Sequence, residues 1–415
     1  MARPQIAVRR RARRLWSTLG AERRTLRQGL VALVVSTFAG FVAGLILAGI
    51  DDTLRLLPGL LVLIPAAVGM RGTIFGAIGA RLGTSIHAGL FETTMRQGGV
   101  LRQNASVALL TTLSSSVYLA ALARLASAAF GEPSISFWDL LTISVVGGLL
   151  GSMLILAVTI GFSVLSYRRG WDLDAVATPM VTALGDMATL PTLFLATFLV
   201  RNEPTRTIAA AACAIVAVVA VVRGYAVADR VVRRVVLEMT AVIVLTPVLD
   251  ILAGSLLQAR SSTFRVYPAV LLLVPPFVGQ AGALGGILCS RLSSKLQLGV
   301  ITPRGLPEGP ALIDGGIVLA FGATVFALIG CIGYGLAEAL GSPNPGAGDM
   351  IGGTILAGMF ALPIVLVVGY YVAIVTARFG LDPDNHSVPA ITSVMDLVGV
   401  ICLLSVLSLL GVSNG

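Results

Sequence analysis

The hydrophobic pattern of the chain is a series of long apolar runs separated by short polar connections. Six runs lie near residues 29–50, 58–90, 105–130, 137–166, 175–200 and 206–228, and five more near 237–258, 268–298, 315–340, 349–377 and 387–411. Each run is long enough for a helix to cross a hydrocarbon core about 30 Å thick. The pattern predicts an all-α integral membrane protein with eleven transmembrane helices.

Composition and charge agree with a multi-pass protein of the cell membrane. The sequence is 56% hydrophobic, its mean hydropathy is +0.94, and its formal net charge is +9. Most of the excess charge lies in the Arg-rich segment 1–28. The positive-inside rule makes this arm a cytoplasmic tail that can touch anionic lipid, and we expect no nucleic-acid partner. An odd number of spans then puts the C-terminus on the opposite side.

The second half of the sequence repeats the first at a constant offset of 210 residues. The segment PAAVGMRGTIFGAIGARLG, which begins at Pro65, aligns without gaps with PPFVGQAGALGGILCSRLS, which begins at Pro275. The same offset pairs Asp139 with Asp349. A gap-free match over this length indicates an internal duplication. It predicts a first five-helix unit at 29–204, a connecting transmembrane helix at 205–236 and a second five-helix unit at 237–415.

The unpaired sixth helix has a topological reason. Five spans leave the chain on the face opposite to its start, so one more span is needed before a second copy can enter in the same orientation. The two units are therefore predicted to be parallel and related by a pseudo-two-fold axis along the membrane normal, with a substrate site where they meet. One chain would then act as a pseudo-dimer and function as a monomer.

The fifth helix of each unit carries an aspartate deep in apolar sequence, Asp186 in the first and Asp396 in the second. Asp186 lies twelve residues after Asp174, about 18 Å of helical rise, which places it near the bilayer centre. A carboxylate at that depth costs roughly 3 kcal/mol and is usually found facing a cavity, a partner or an ion. Two of them facing a shared axis would form an oxygen-rich metal site, although each could instead be protonated or paired inside the bundle.

Hydroxyl side chains precede these acids on the same helix face. Thr182 and Thr392 lie four residues before the aspartates, and Thr178 lies one turn further out. These threonines are candidate metal ligands. The alternative is that their hydroxyls donate to carbonyls of their own helix, as is common in membrane spans.

Asp250 lies in the middle of the seventh helix and breaks the repeat, because its mate is Gly40. It could pair with Arg71, whose own mate is Ala281, or add a further ligand to the cation site. The second helix of each unit is rich in glycine, including Gly69 and its mate Gly279, and such residues serve close helix packing or leave a backbone open to a pore.

The P-x-x-V-G-x-x-G segment of the second helix and the D-P-D-N…P-x-x-T-x-x-x-D segment of the fifth resemble the membrane domain of the MgtE and SLC41 magnesium transporters. The resemblance covers the chain from about residue 29, and the architecture is similar to the SLC41 branch, in which two subunits are fused. It implies transport of a divalent cation, most simply Mg²⁺, with Asp186 and Asp396 as the central acids and Thr182 and Thr392 as ligands. The family commonly has Asn where this chain has Thr73 and Ala283.

Two other functions compete with a divalent-cation transporter. An intramembrane aspartyl hydrolase would also use two carboxylates, but that class resembles Y-D on one helix and G-x-G-D on another, whereas this chain has ALGD and SVMD. We therefore expect no enzymatic activity and no catalytic residues. A non-transporting membrane scaffold would leave two acids at the bilayer midplane without a role.

Overall fold

A computed structural model describes residues 29–87, 89–169, 173–226, 229–380 and 383–412. This part of the chain is helical and contains no β-strand. In chain order the first group of helices is α1 (Gly29–Gly49), α2 (Asp51–Leu56), α3 (Leu60–His87), α4 (Val100–Phe130), α5 (Phe137–Arg169), α6 (Leu173–Thr197, followed by the 3₁₀ turn Phe198–Val200) and α7 (Glu203–Ala226). The second group is α8 (Arg230–Ala259), α9 (Ser261–Val266), α10 (Ala269–Gln297), α11 (Gly309–Ala339), α12 (Ala347–Arg378) and α13 (Pro383–Leu409).

The helices confirm the predicted all-α membrane architecture with repeats. Among the described residues, ten helices are long and apolar enough to cross a membrane. The remaining predicted span is α6, which is 25 residues long and whose described apolar part continues to Val200. Helix α7 packs on α4 and α5 and exposes large apolar side chains such as Ile208, Ile215 and Val218, as a helix facing lipid does.

The repeat is visible in the helix boundaries. The short helix α2 at 51–56 recurs as α9 at 261–266, and α5, which begins at 137, recurs as α12, which begins at 347. Both pairs are separated by the offset of 210 residues. The short helices were not predicted, because six residues carry too little periodicity to be recognised. Each lies just before a proline, Pro58 or Pro268, that marks the start of the next long helix.

The two halves interlock through their first helices. Helix α8 of the second half packs on α3 of the first, where Gly254 lies against the backbone of Val62. Helix α1 packs on α10 in the same way, where Gly44 lies against the backbone of Leu272. In addition, the Gln280 amide donates to the carbonyl of Leu33 at 3.2 Å. Such reciprocal contacts are what a two-fold relation between the halves requires.

Within each half the glycine-rich helix is the centre of the packing. Helix α3 contacts α4, α5 and α6, and α10 contacts α11, α12 and α13. Helix α13 also reaches α3 and α8. The helices that carry Asp186, Asp250 and Asp396, which are α6, α8 and α13, therefore lie around α3 and α10. This boundary between the two halves, formed by α3, α6, α8, α10 and α13, is called the seam below.

Candidate cation site between the two halves

Asp186 extends from α6 of the first half toward the second half. A Cβ atom placed on Gly279 of α10 would lie 3.6 Å from Oδ2 of Asp186, an ordinary van der Waals distance. The carboxylate therefore lies over a glycine of the opposite half. Asp186 is partly exposed within the bundle. Gly279 therefore borders the acid, and a methyl group at this position would still fit beside it.

Asp250 occupies the equivalent place on the other side of the seam. Its Oδ2 would lie 2.5 Å from a Cβ atom on Gly69 of α3, so the carboxylate rests directly on that glycine. Gly69 and Gly279 are mates in the repeat. In a strictly symmetric protein, Asp396 would lie on Gly69 as Asp186 lies on Gly279. Asp250 from α8 has taken this position.

Asp396 on α13 joins the two other acids. Its carboxyl group is next to that of Asp250. It is also close enough to Asp186 for the two carboxylates to repel each other. The Ser393 hydroxyl, one turn before Asp396, is the other polar group beside Asp250. The three carboxylates thus form a row from α6 through α13 to α8. This row, Asp186, Asp396 and Asp250, is called the acidic row below.

The acidic row contains a buried carboxylate that no cationic side chain of the described residues neutralises. Asp250 is fully buried, and neither of its oxygens has a hydrogen-bond partner within normal distance among the described residues. No ion pair to any of the three acids is found in the described part of the chain. Arg71, the one deep candidate, instead donates from Nη2 to the carbonyl of Gly147 at 2.9 Å. The pairing of Asp250 with Arg71 that the sequence left open is therefore not found.

The arrangement is a row and not a dense cluster. Among the residues that the structure describes, no group of three His, Cys, Asp or Glu side chains converges as a metal-binding cage. A cation that strips its hydration shell needs such a cage, whereas Mg²⁺ keeps several waters and binds through one or two carboxylates. Sparse carboxylates that do not form a cage therefore suit a divalent cation that keeps its water ligands.

The threonines are only partly described. The side chains of Thr178 and Thr182 lie outside the described part of the structure, although the backbone of α6 passes through both positions. The Thr392 hydroxyl donates to the carbonyl of Pro389 at 3.0 Å, and the side chain packs beside Gly282 of α10. This is the back-bonded geometry common in membrane helices. It leaves the oxygen lone pairs of Thr392 free, so back-bonding does not remove the hydroxyl as a ligand.

Two features of this site did not follow from the sequence. Ser393 was not singled out, because its mate is Ala183 and a lone serine in a span carries little signal. The glycines gave a stronger signal, since their spacing indicated either packing or an open backbone. Gly285 packs tightly against Ile391, as the packing alternative predicts, whereas Gly69 and Gly279 each border a carboxylate. A backbone open to a pore stays a prediction.

Comparison with known proteins matches both halves of this architecture. The family model MgtE, described as a divalent cation transporter, matches residues 64–196 and again residues 274–406. The two matched segments begin 210 residues apart, which is the offset of the repeat.

Curated relatives cover most of the chain. Solute carrier family 41 member 3 of Rattus norvegicus is 23% identical over 90% of this chain and 85% of its own length. Member 3 of Mus musculus is 25% identical over 82% of this chain and 73% of its own length. A crystal structure of a eukaryotic MATE transporter aligns with 94% of this chain and 96% of its own at 11% identity, but its TM-score of 0.29 does not indicate a common fold.

The duplicated helices, the acids along the seam and the two matched segments agree. The family consists of transporters and not of enzymes, so the hydrolase alternative has no support. The chain belongs to the MgtE family of divalent cation transporters.

Proposed function

We propose that the chain carries Mg²⁺ across the membrane along the seam between its halves, with the acidic row as the central cation site. The observation that carries this proposal is the row itself, which consists of three carboxylates from α6, α13 and α8. Two of them border Gly279 and Gly69, and no cationic side chain is paired to any of the three in the described structure. Uncompensated carboxylates within a bilayer are costly, and a divalent cation offsets much of that cost.

The three acids have different places in this proposal. Asp186 and Asp396, which are partly exposed within the bundle, are the ligands that a hydrated ion meets first. Asp250 is buried behind Asp396 and adds a third negative charge. Thr392, together with Thr182 and Thr178 of the other half, supplies hydroxyl oxygens to the hydration shell. The selection of Mg²⁺ over larger ions follows from outer-shell contacts that suit a small ion with ordered waters.

The organisation of the chain follows from the same proposal. The units at 29–204 and 237–415 form the two walls of the path, and 205–236 is the connector that restores orientation. The basic segment 1–28 lies on the cytoplasmic side, and the C-terminus lies opposite. Because both walls belong to one chain, a single copy in the bilayer suffices for transport.

The test is Mg²⁺ flux into vesicles reconstituted with purified protein. Asp186→Asn and Asp396→Asn each preserve side-chain volume and remove one charge from the path. We expect each to lower the flux at least about tenfold, because a loss of roughly 1.4 kcal/mol of cation binding already has that effect. Asp349→Asn, which removes a carboxylate at the start of α12, is the matched control and should transport normally. Normal flux through the variant with both path substitutions would refute the assignment.

A second experiment separates the role of the glycines from that of the charges. Gly69→Ala places a methyl group where the Asp250 carboxylate now lies, so that side chain must turn away. Gly279→Ala leaves an ordinary distance of 3.6 Å to Asp186. We expect Gly69→Ala to reduce Mg²⁺ flux several-fold and Gly279→Ala to have a smaller effect. Equal effects would show that Asp250 does not contribute to the path.

A further inference from the structure

The side of α3 that faces α5 carries a second polar site, which is separate from the acidic row. Arg71 is 4% exposed, and its guanidinium donates a hydrogen bond from Nη2 to the Gly147 carbonyl. Its Nη1 is buried and has no hydrogen-bond partner among the residues that the structure describes. No carboxylate among the described residues is near enough to interact with it. Because an arginine side chain keeps its charge in proteins, this is a buried positive charge without a counter-ion.

A small cavity is lined in part by Arg71. It lies between α3, α4 and α5 and has a volume of about 10 Å³. Its polar lining consists of Arg71 and four hydroxyl side chains, Thr112, Ser115, Ser116 and Ser144. Its other walls are apolar. A space of this size suits a single small occupant, such as a water molecule or a monatomic ion.

The hydroxyls can turn toward an occupant. Ser115 donates to the Thr112 carbonyl at 3.0 Å, and Ser116 shares its hydrogen between the carbonyls of Thr112 and Ser144. These carbonyls already accept bonds of their own helices, so both hydroxyls are free to reorient. No hydrogen bond from the Ser144 hydroxyl occurs in the described part of the chain. The cavity therefore offers one charged donor and several hydroxyl donors.

The second half of the protein provides an internal comparison. The repeat mates of Ala67, Arg71, Ser116 and Ser152 are Phe277, Ala281, Phe326 and Leu362. There, Phe277 and Phe326 are in ring contact at 4.7 Å, Phe326 lies against Gly358, and Leu362 lies against Gly322. The equivalents of these four positions are thus apolar, although the mate of Ser144 is the buried Thr354.

The comparison indicates that the polar cavity is particular to the first half. There, Ala67 stands in place of a phenylalanine, Ser116 and Ser152 stand in place of apolar side chains, and Arg71 stands in place of an alanine. A void and an unpartnered buried polar group each cost stability, so a cavity lined by a charged donor and hydroxyls favours an occupant that offsets this cost.

We propose that this cavity, the Arg71 cavity, binds a monatomic anion of the halide class, with chloride as the physiological form, against Nη1 of Arg71. The anion neutralises the guanidinium, which a water molecule cannot do, and the hydroxyls of Ser115, Ser116 and Ser144 donate to it. The site is formed by the first half alone. It depends neither on the acidic row nor on which cation is transported.

The first test is thermal unfolding of the purified full chain in detergent, with chloride replaced by gluconate at constant ionic strength. A ligand that binds only the folded state raises the midpoint in proportion to the logarithm of its concentration. We expect the wild-type Tm to fall by about 2 °C or more in gluconate and to be restored by bromide. Arg71→Met should abolish this dependence. Lys295→Met, which removes a different cation at the end of α10, should retain it.

A second variant covers the case in which Arg71→Met does not fold. The combination Ala67→Phe, Arg71→Ala, Thr112→Gly, Ser116→Phe and Ser152→Leu installs the side chains of the second half, including the glycine on which Leu362 lies there, and refills the space. This variant should fold and should have the same Tm in chloride and in gluconate.

Crystals of the wild-type protein in bromide give a direct readout that does not depend on any variant. An anomalous peak beside Nη1 of Arg71 would support the proposal. The absence of a peak, together with a wild-type Tm that is equal in all three salts, would show that the cavity holds water only and would overturn it.

Discussion

The close approach of each first helix to the opposite half gives a sharp test of how the two halves are held together. Gly254 of α8 and Gly44 of α1 are repeat mates, and each faces backbone atoms of the other half. Replacing either glycine by alanine adds one methyl group at the contact. Backbone cannot turn aside as a flexible side chain can, so the helices themselves must separate.

The structure gives the size of the effect. A methyl group on Gly254 would lie 2.9 Å from Cα of Val62, and one on Gly44 would lie 2.6 Å from the carbonyl oxygen of Leu272. Carbon atoms in contact are normally about 3.5–4.0 Å apart. Overpacking of this kind costs about 2 kcal/mol. The better helix propensity of alanine returns up to about 1 kcal/mol, which leaves a net loss near 1 kcal/mol.

A matched control isolates the contact from propensity. Gly335 on α11 is exposed, and an added methyl group would have no neighbour within 4 Å among the described residues. Gly335→Ala should therefore keep the propensity gain of about 1 kcal/mol without the collision. The free energies of unfolding of Gly254→Ala and Gly335→Ala should differ by about 2 kcal/mol. At roughly 2 °C per kcal/mol for a chain of this size, their Tm values should differ by about 4 °C.

The assay is thermal unfolding of each purified variant in the same detergent. Gly44→Ala should reproduce the loss seen with Gly254→Ala, because the two contacts are equivalent. The double variant should lose the sum of the two effects, since the sites share no neighbours. A Tm for Gly254→Ala at or above that of Gly335→Ala would refute the interlocked arrangement of the halves.

Two further predictions concern ion pairs that one half has and the other lacks. Asp314 is buried and bridges Arg291 at 2.8 Å and Lys295 at 2.6 Å. Asp314→Asn should lower stability by about 3 kcal/mol, because two partly buried cations lose the carboxylate that neutralises both of them. Thermal unfolding measures this loss, and an unchanged Tm would contradict it. Asp139→Asn should release α7 from α5, because Arg206 binds that carboxylate through two bonds of 2.6 Å. Limited proteolysis of the protein in vesicles should then cut the α6–α7 connection faster than in the wild type, and an equal rate would count against the anchor.

The membrane architecture and the repeat could be predicted from the sequence because both depend on features that are visible without knowledge of tertiary contacts. Hydrophobic length defines the spans, and a constant offset defines the duplication. Helix α12 begins 210 residues after α5, as the alignment requires. The sequence could not predict that α1 and α8 cross to the opposite half. Which half these helices pack on depends on how well their surfaces match those of the neighbouring helices. A close contact between a glycine and a neighbouring backbone leaves no distinctive pattern in the sequence.

The candidate site, too, has some features that the sequence predicts and others that depend on how the helices pack. The depth of Asp186 and Asp396 follows from counting residues along a helix, so their selection as candidates required only the sequence. The place of Asp250 beside Gly69 could not be predicted, because its mate Gly40 packs on Pro276 and gives no indication of a carboxylate. The crossing of α8 brings this acid into the seam. Its role as a ligand stays a prediction until flux is measured.

The two departures from symmetry explain why the buried arginine does not neutralise the acids. Gly69, which borders Asp250, and Arg71 are two residues apart on α3, so their directions from the helix axis differ by about 200°. The helix therefore stands between the guanidinium and the acidic row. If Arg71 faced the acidic row, it would hold a fixed positive charge beside Asp250, where we propose that the cation binds. With that charge on the far side of α3, the acids stay available to a cation, and the Arg71 cavity is where we propose that an anion neutralises the guanidinium.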